Sequence, residues 1–270
     1  MRLERFTEGD FDGAHGLTQA LRWPHRREDW ETMLTLGHGF VARDEAGLAG
    51  TALWFPCGEG HATLGMVIVA GDRQGRGIGK ALMAAVLEEI GDRAILLNAT
   101  TEGAPLYRAL GFIGDGEVVQ YQGAFIPIAA TAPGLRDATP ADWPSIAALD
   151  AAAFGARRAA MDAVLAAGRA VVIARDGGIA GFAVCRPFGR GVVIGPIVAE
   201  TEADAVAMVG ALGEPGAFVR IDVVGEATTL VDYLMRAGLS GVDRVTPMRR
   251  GDWAAEGKVR RFSLISQALG

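Results

Sequence analysis

Apolar and polar residues follow one another in a pattern that this chain uses twice. In its first use, the apolar pair Val41-Ala42 meets the charged turn Arg43-Asp44-Glu45-Ala46-Gly47, and a second apolar run covers residues 51–55. In its second use, Ile173-Ala174 leads into Arg175-Asp176-Gly177-Gly178, and an apolar run follows at 182–185. Short apolar runs joined by a tight Asp/Gly turn predict a β-hairpin, because those residues accept the backbone angles of the turn. Helix-period stretches precede the hairpins, at 11–36 and 140–167. Strands are predicted after them at 64–69 and 192–198, then helices at 78–90 and 202–212, then strands at 94–98 and 218–224. Short helices at 104–110 and 229–237 stop at Gly111 and Gly238, which suit the left-handed cap of a helix end. Last strands are predicted at 117–121 and 242–248.

Two copies of about 120 residues describe a duplicated domain, since a solenoid needs at least about three shorter repeats. The linker falls at 128–134, where Pro127 and Pro133 bracket small residues. Residues after Arg250 read as a tail, with one apolar run at 259–266. Strands and helices mix within each copy, so the predicted fold class is α/β: two tandem domains, each a mixed, mostly antiparallel sheet flanked by helices.

Composition narrows the partners. The 270 residues suit two domains, and 50% are hydrophobic, enough for sizeable cores. The net charge of −6 argues against a nonspecific nucleic-acid binder, which needs a basic face for phosphates. Arg2, Glu4, Arg5, Glu8 and Asp10 leave no room for a secretory apolar region at the start. No apolar run approaches the ~18 residues that span a bilayer. Cys57 and Cys185 are far apart and form no paired-cysteine motif, so they read as reduced thiols of a cytoplasmic protein. No His, Cys or acidic pair has metal-ligand spacing, and no metal is expected.

The most informative segment is Val67-Ile68-Val69-Ala70-Gly71-Asp72-Arg73-Gln74-Gly75-Arg76-Gly77-Ile78-Gly79-Lys80-Ala81-Leu82. A strand enters a turn with three alternate glycines and leaves as a helix. Bare backbone N–H groups at such a turn, with the positive end of the helix, can cradle a pyrophosphate. Arg73, Arg76 and Lys80 add positive charge. A P-loop is excluded because Ala81 follows Gly79-Lys80 and Gln74 replaces the first glycine. A dinucleotide fingerprint is excluded by the GxGxG spacing and by the position of the strand late in the domain.

What remains, Gln74-Gly75-Arg76-Gly77-Ile78-Gly79, resembles motif A of the GNAT superfamily, the GCN5-related N-acetyltransferases. Downstream, Leu97 to Phe112, ending Leu106-Tyr107-Arg108-Ala109-Leu110-Gly111-Phe112, resembles motif B. The resemblance covers about residues 1–122 and implies a splay between strands 64–69 and 94–98 that receives the pantetheine arm of acetyl-CoA, the expected co-substrate. It implies that the backbone of Val67, Ile68 and Val69 pairs with that arm, that the Val69 N–H polarises the thioester carbonyl, and that Gln74, Gly75, Arg76, Gly77, Ile78, Gly79 and Lys80 hold the pyrophosphate. It places Tyr107 as the general acid for the departing thiolate. The base stays open among Glu59, His61, His25, Glu28, Asp29 and a water relay. Arg26 and Arg27 hint at an acceptor with a carboxylate.

In the second copy, Glu200, Glu202 and Asp204 stand where the phosphate cradle would be, and Leu234 stands where Tyr107 does, with Tyr233 one residue off. Acids there suit a helix start but repel a pyrophosphate. The resemblance therefore implies a tandem GNAT protein with a catalytic domain at 1–127, a degenerate GNAT-like domain at 134–250 and a tail at 251–270. The second copy would close the acceptor pocket or supply the last strand of the first. The expected function is acetyl transfer to the primary amine of a small molecule. The alternatives are a CoA-binding sensor without turnover and an acyltransferase acting on a protein amine.

Overall fold

The helix-period stretch at 11–36 divides into α1 (Phe11–Ala20) and α2 (Arg27–Leu36), described with the rest of residues 1–254 and 257–270 in this computed structural model. The break falls at Arg22, whose φ is +58°, followed by Trp23 and Pro24. Proline cannot supply the N–H that would continue the helix.

The first half begins with β1 (Arg2–Arg5), then β2 (His38–Asp44), β3 (Gly47–Cys57) and β4 (His61–Val69) as antiparallel neighbours. α3 (Ile78–Ile90) crosses back to β5 (Ala94–Ala99), which runs parallel to β4. α4 (Ala104–Ala109), β6 (Ile113–Gly114) and β7 (Val118–Ala124) complete the half. The second half repeats this order with β8 (Leu135–Asp137), α5 (Trp143–Phe154), α6 (Asp162–Ala166), β9 (Arg169–Arg175), β10 (Gly178–Phe188) and β11 (Gly191–Ala199). It continues with α7 (Glu202–Leu212), β12 (Phe218–Val224), α8 (Thr228–Arg236) and β13 (Ser240–Arg250), and β14 (Arg260–Ser263) comes last. The α/β class, the antiparallel majority and the duplicated order agree with the sequence reading.

The two halves are not separate sheets. All the strands except β6 lie in one path, β1-β2-β3-β4-β5-β13-β7-β12-β14-β11-β10-β9-β8, and β6 pairs with β13. β13, from the end of the second half, inserts between β5 and β7 of the first, with Met248 opposite Leu97 and Arg244 opposite Val119. β7 in turn pairs along its length with β12, Tyr121 facing Ile221. The expected boundary at 127–134 thus divides the sequence but not the hydrogen-bonded sheet. The segment 251–270, expected as a tail, carries an internal strand of that sheet.

The core follows the same plan. One cluster under α3 and α4 joins Leu82, Val86, Leu97 and Phe112, and another under α7 and α8 joins Met208, Ile221 and Leu234. A third crosses between halves: Phe6, Trp30, Phe55 and Met66 pack in one cluster with Ile146, Phe182, Val198 and Ile265. Apolar burial of that kind, at roughly 25 cal/mol per Å², binds the halves as a domain core does rather than as a transient interface.

Candidate active site

β4 and β5 pair side by side only from His61–Ala94 to Leu64–Leu97. Beyond Leu64 they part, and the pairing of β4 with β3 shifts register next to Met66, whose φ is +52°. Thr51 pins this irregular step, its hydroxyl donating to the Met66 carbonyl at 2.7 Å. Val67, Ile68 and Val69 form the free side of the gap, Val67 and Val69 half-buried.

The glycine loop opens at the end of this strand. Gly75 and Gly77 take φ of +73° and +78°, and a Cβ added at either would meet no atom within 4 Å. Gly77 is the N-cap of α3, and the first backbone bond of the helix runs from Ala81 N to Gly77 O, 3.0 Å. The N–H groups ahead of Ala81 therefore point out of the helix start without helical partners. Gly79 serves packing instead: its Cβ would touch Leu106 of α4 at 3.4 Å and Val69 at 3.6 Å, so β4, α3 and α4 converge here. Arg73 is tied back to Asp44 at 3.2 Å and to the Leu48 carbonyl at 3.1 Å. Arg76 and Lys80 are exposed beside the open N–H groups. Gln74 turns its amide to the Val69 carbonyl at 3.4 Å. An open, positively flanked helix start of this form fits a diphosphate.

Tyr107 lies on α4, nearly buried, with its ring against Gly103 and edge-on to Phe112 at 6.0 Å. Burial pushes its phenol well above the ordinary tyrosine value, so the hydroxyl keeps its proton at neutral pH.

The candidate bases separate. Glu59 and His61 sit at the paired end of β4, away from the gap; Glu59 is exposed and His61 packs edge-on against Trp253 at 4.6 Å. Glu28 is exposed on α2. Asp29 is buried, and although burial raises its carboxyl, the hydrogen bonds from Arg26 win and hold it below the usual range. It also accepts from Gly189 N of the second half at 3.2 Å, which makes it a clamp between halves. Arg26 is spent on Asp29, and Arg27 on Asp12 and Glu31, so neither forms the expected anion site.

His25 alone among these faces the gap. It lines a cavity of about 560 Å³, its open mouth included, with Trp23, Met66, Asn98, Phe188 and Arg220. That cavity takes walls from both halves. Sequence reasoning missed Phe188, Arg220, Asp243 and Ser266–Ala268, because nothing in their local pattern marks them as neighbours of residues 23–25. The C-terminal segment closes its floor: Ala268 lies so near Gly65 that a Cβ there would come within 2.7 Å, and Asn98 Nδ2 donates to the Gln267 carbonyl at 2.8 Å. Among the described residues, no group of three His, Cys or acidic side chains could hold a metal.

Comparison with known proteins bears on this geometry. Two family models, each described as an acetyltransferase (GNAT) domain, match residues 35–113 and 146–262. An uncharacterized N-acetyltransferase of Bacillus subtilis strain 168, YitH, is 31% identical over 216 residues, 77% of this chain and 76% of that protein. The chain belongs to the GNAT acetyltransferase family. Among solved structures, a putative acetyltransferase from Pyrococcus horikoshii shares its fold with a TM-score of 0.82 at 22% identity, over 100% of this chain and 95% of that one. A tandem GNAT protein from the clavulanic acid biosynthesis pathway superposes with a TM-score of 0.63 at 16% identity, over 94% of this chain and 100% of that one.

The two GNAT halves differ where the gap should be. In the second, β14 lies between β11 and β12, with Val198 opposite Arg261 and Val223 opposite Ser263. The space that stays open between β4 and β5 is there filled by the chain's own strand. The acids at the start of α7 have internal partners as well. Asp204 and Glu200 bind Arg175, at 2.9 and 3.2 Å, and Glu202 accepts from Leu230 N at 3.1 Å. Tyr233 donates its hydroxyl to the Ile128 carbonyl at 2.9 Å, and Leu234 is fully buried.

Proposed function

We propose that this acetyltransferase moves an acetyl group from acetyl-CoA to the primary amine of a small molecule, in the first half only and by direct attack. The observation that carries the reading is the contrast between two copies of one fold: an open gap with a bare glycine turn in the first, a gap filled by β14 in the second. Acetyl-CoA, when bound, supplies a thioester whose acyl carbon is open to an amine. The loop Gln74–Lys80 binds the diphosphate through backbone N–H groups, with Arg76 and Lys80 adding charge. Val67–Val69 orient the arm by strand-like pairing. The Val69 N–H is the donor for a carbonyl oxygen that gains negative charge. Tyr107 gives its hydroxyl proton to the departing thiolate, and the proton shed by the attacking nitrogen returns to the phenol through water, so the products are the amide and the free CoA thiol. The second half and the segment 266–268 cover the acceptor side, which excludes bulk water and favours a small acceptor over a protein chain.

The test is titration calorimetry with acetyl-CoA, followed by a screen of small amines that reads thiol release. Binding at one site and release that depends on an amine are expected. Failure to bind acetyl-CoA, or equal binding by Gly77→Asp, would refute the reading.

A further inference from the structure

The cavity between the halves holds more hydrogen-bond donors than its own walls satisfy. Arg220, buried on β12, donates its Nε to Asp222 at 3.1 Å and holds its Nη2 2.9 Å from the same carboxylate as an ion pair, and Nη1 makes no hydrogen bond to protein among the described residues. In the same wall the Ser266 hydroxyl and the Gln267 side-chain amide are buried and have no partner. Unpaired buried donors are costly, and each asks for an acceptor atom.

The charges point the same way. The Phe188 ring carries two guanidiniums, Arg220 at 5.3 Å and Arg186 at 5.5 Å from its centre, and the ring of His25 stands edge-on at 5.3 Å. Arg220 is balanced by Asp222 and Arg26 by Asp29, but buried Arg186 has only the Ile265 carbonyl, at 2.7 Å, and an unpartnered Nε. One positive charge is therefore in excess behind the wall. Asp243 is the one acid lining the cavity among the described residues, and it is exposed at the mouth.

On the reading that this cavity takes the acceptor, we propose that Arg220 of the noncatalytic half makes the enzyme selective for amines that also carry an oxyanion, a carboxylate or a phosphate ester. The free Nη1 edge, with Ser266 and Gln267, binds the oxyanion, and Asp222 and Phe188 hold the guanidinium ready for it. The amine end then faces the gap at Gly65 and Met66. An acceptor of this class is an amino acid or a phosphorylated amino alcohol.

The experiment compares thiol release from acetyl-CoA with three acceptor series: amino acids, their carboxamides, and amino alcohols with and without a phosphate ester. Full-length protein is used, together with the double variant R220Q/D222N. The double change avoids leaving Asp222 buried and unpaired, and melting temperature with acetyl-CoA affinity checks its fold. Oxyanion-bearing acceptors are expected to exceed their neutral partners in kcat/KM by roughly 10- to 100-fold, the value of a hydrogen bond to a charged group. That preference should fall to about threefold or less in R220Q/D222N, mostly through KM, well under the tenfold that 1.4 kcal/mol represents. The amino acid and phosphate series tell which oxyanion is taken. Equal use of neutral partners, or a preference that survives in the double variant, overturns the proposal and leaves amine transfer standing. Thiol release with no amine of any kind overturns both.

Discussion

His25 gives a stability prediction whose size can be worked out. Its ring sits between Trp23, 5.8 Å away, and Phe188, and its Nδ1 is buried without a partner. Burial, with the Arg220 charge second, lowers its pKa from 6.5 to about 4, against the opposing pull of Asp29. The folded state thus prefers the neutral ring, and the unfolded chain binds the proton first as pH falls. The stability His25 contributes is complete above the unfolded value of 6.5 and is lost as pH drops through 6.5 towards 4. Between pH 7 and pH 5 the linkage relation makes that loss about 2 kcal/mol. The perturbation is His25→Gln, which keeps a polar side chain but removes the titration. Urea unfolding of both proteins at the two pH values, followed by two independent probes, is the assay. The wild type should lose about 2 kcal/mol more than the variant on acidification, while other carboxylates and histidines cancel in the difference. Equal pH dependence of the two proteins would refute the buried, neutral His25.

Tyr107→Phe should lower turnover by about 10²–10⁴-fold, the usual loss for a general acid, with acetyl-CoA affinity nearly unchanged because the ring keeps its packing; unchanged turnover with chemistry rate-limiting would count against the role. Calorimetry should find one acetyl-CoA site per chain, and Gly77→Asp should weaken it by more than the ~1.4 kcal/mol of a tenfold change. Two equivalent sites per chain would sink that expectation. A fragment ending at Pro133 keeps every cofactor motif but loses β13 and exposes the free edges of β5 and β7, together with the shared core. It should be insoluble or inactive by size exclusion, circular dichroism and acetyl transfer, and a soluble fragment with full turnover would show the second half to be dispensable.

Most of the local structure, and the family, are legible in the residues alone. Hairpins, helices and their glycine stops are written in side-chain period and backbone freedom, which act over a few residues. The turn at Gly75 and Gly77 is legible for the same reason: both take a positive φ that favours a residue without a side chain. The loss of that turn at residues 200–204 was equally plain. Tertiary structure decided which strands pair. Residues 242–248 read correctly as a strand, but the partner of a strand is set by hydrogen bonds across long sequence distances, and so the place of β13 between β5 and β7 had no local sign. The run at 259–266 read as apolar, yet only the folded sheet shows it filling the second gap as β14. The cavity between the halves is the clearest case. His25, Asn98, Arg220 and Gln267 come from four remote stretches, and each alone is an ordinary polar residue. Their meeting in one cavity, and the missing partners of His25 Nδ1 and Gln267 Nε2, arise only when two halves and the C-terminal segment close on one another, because burial belongs to the packed molecule and not to any segment of it.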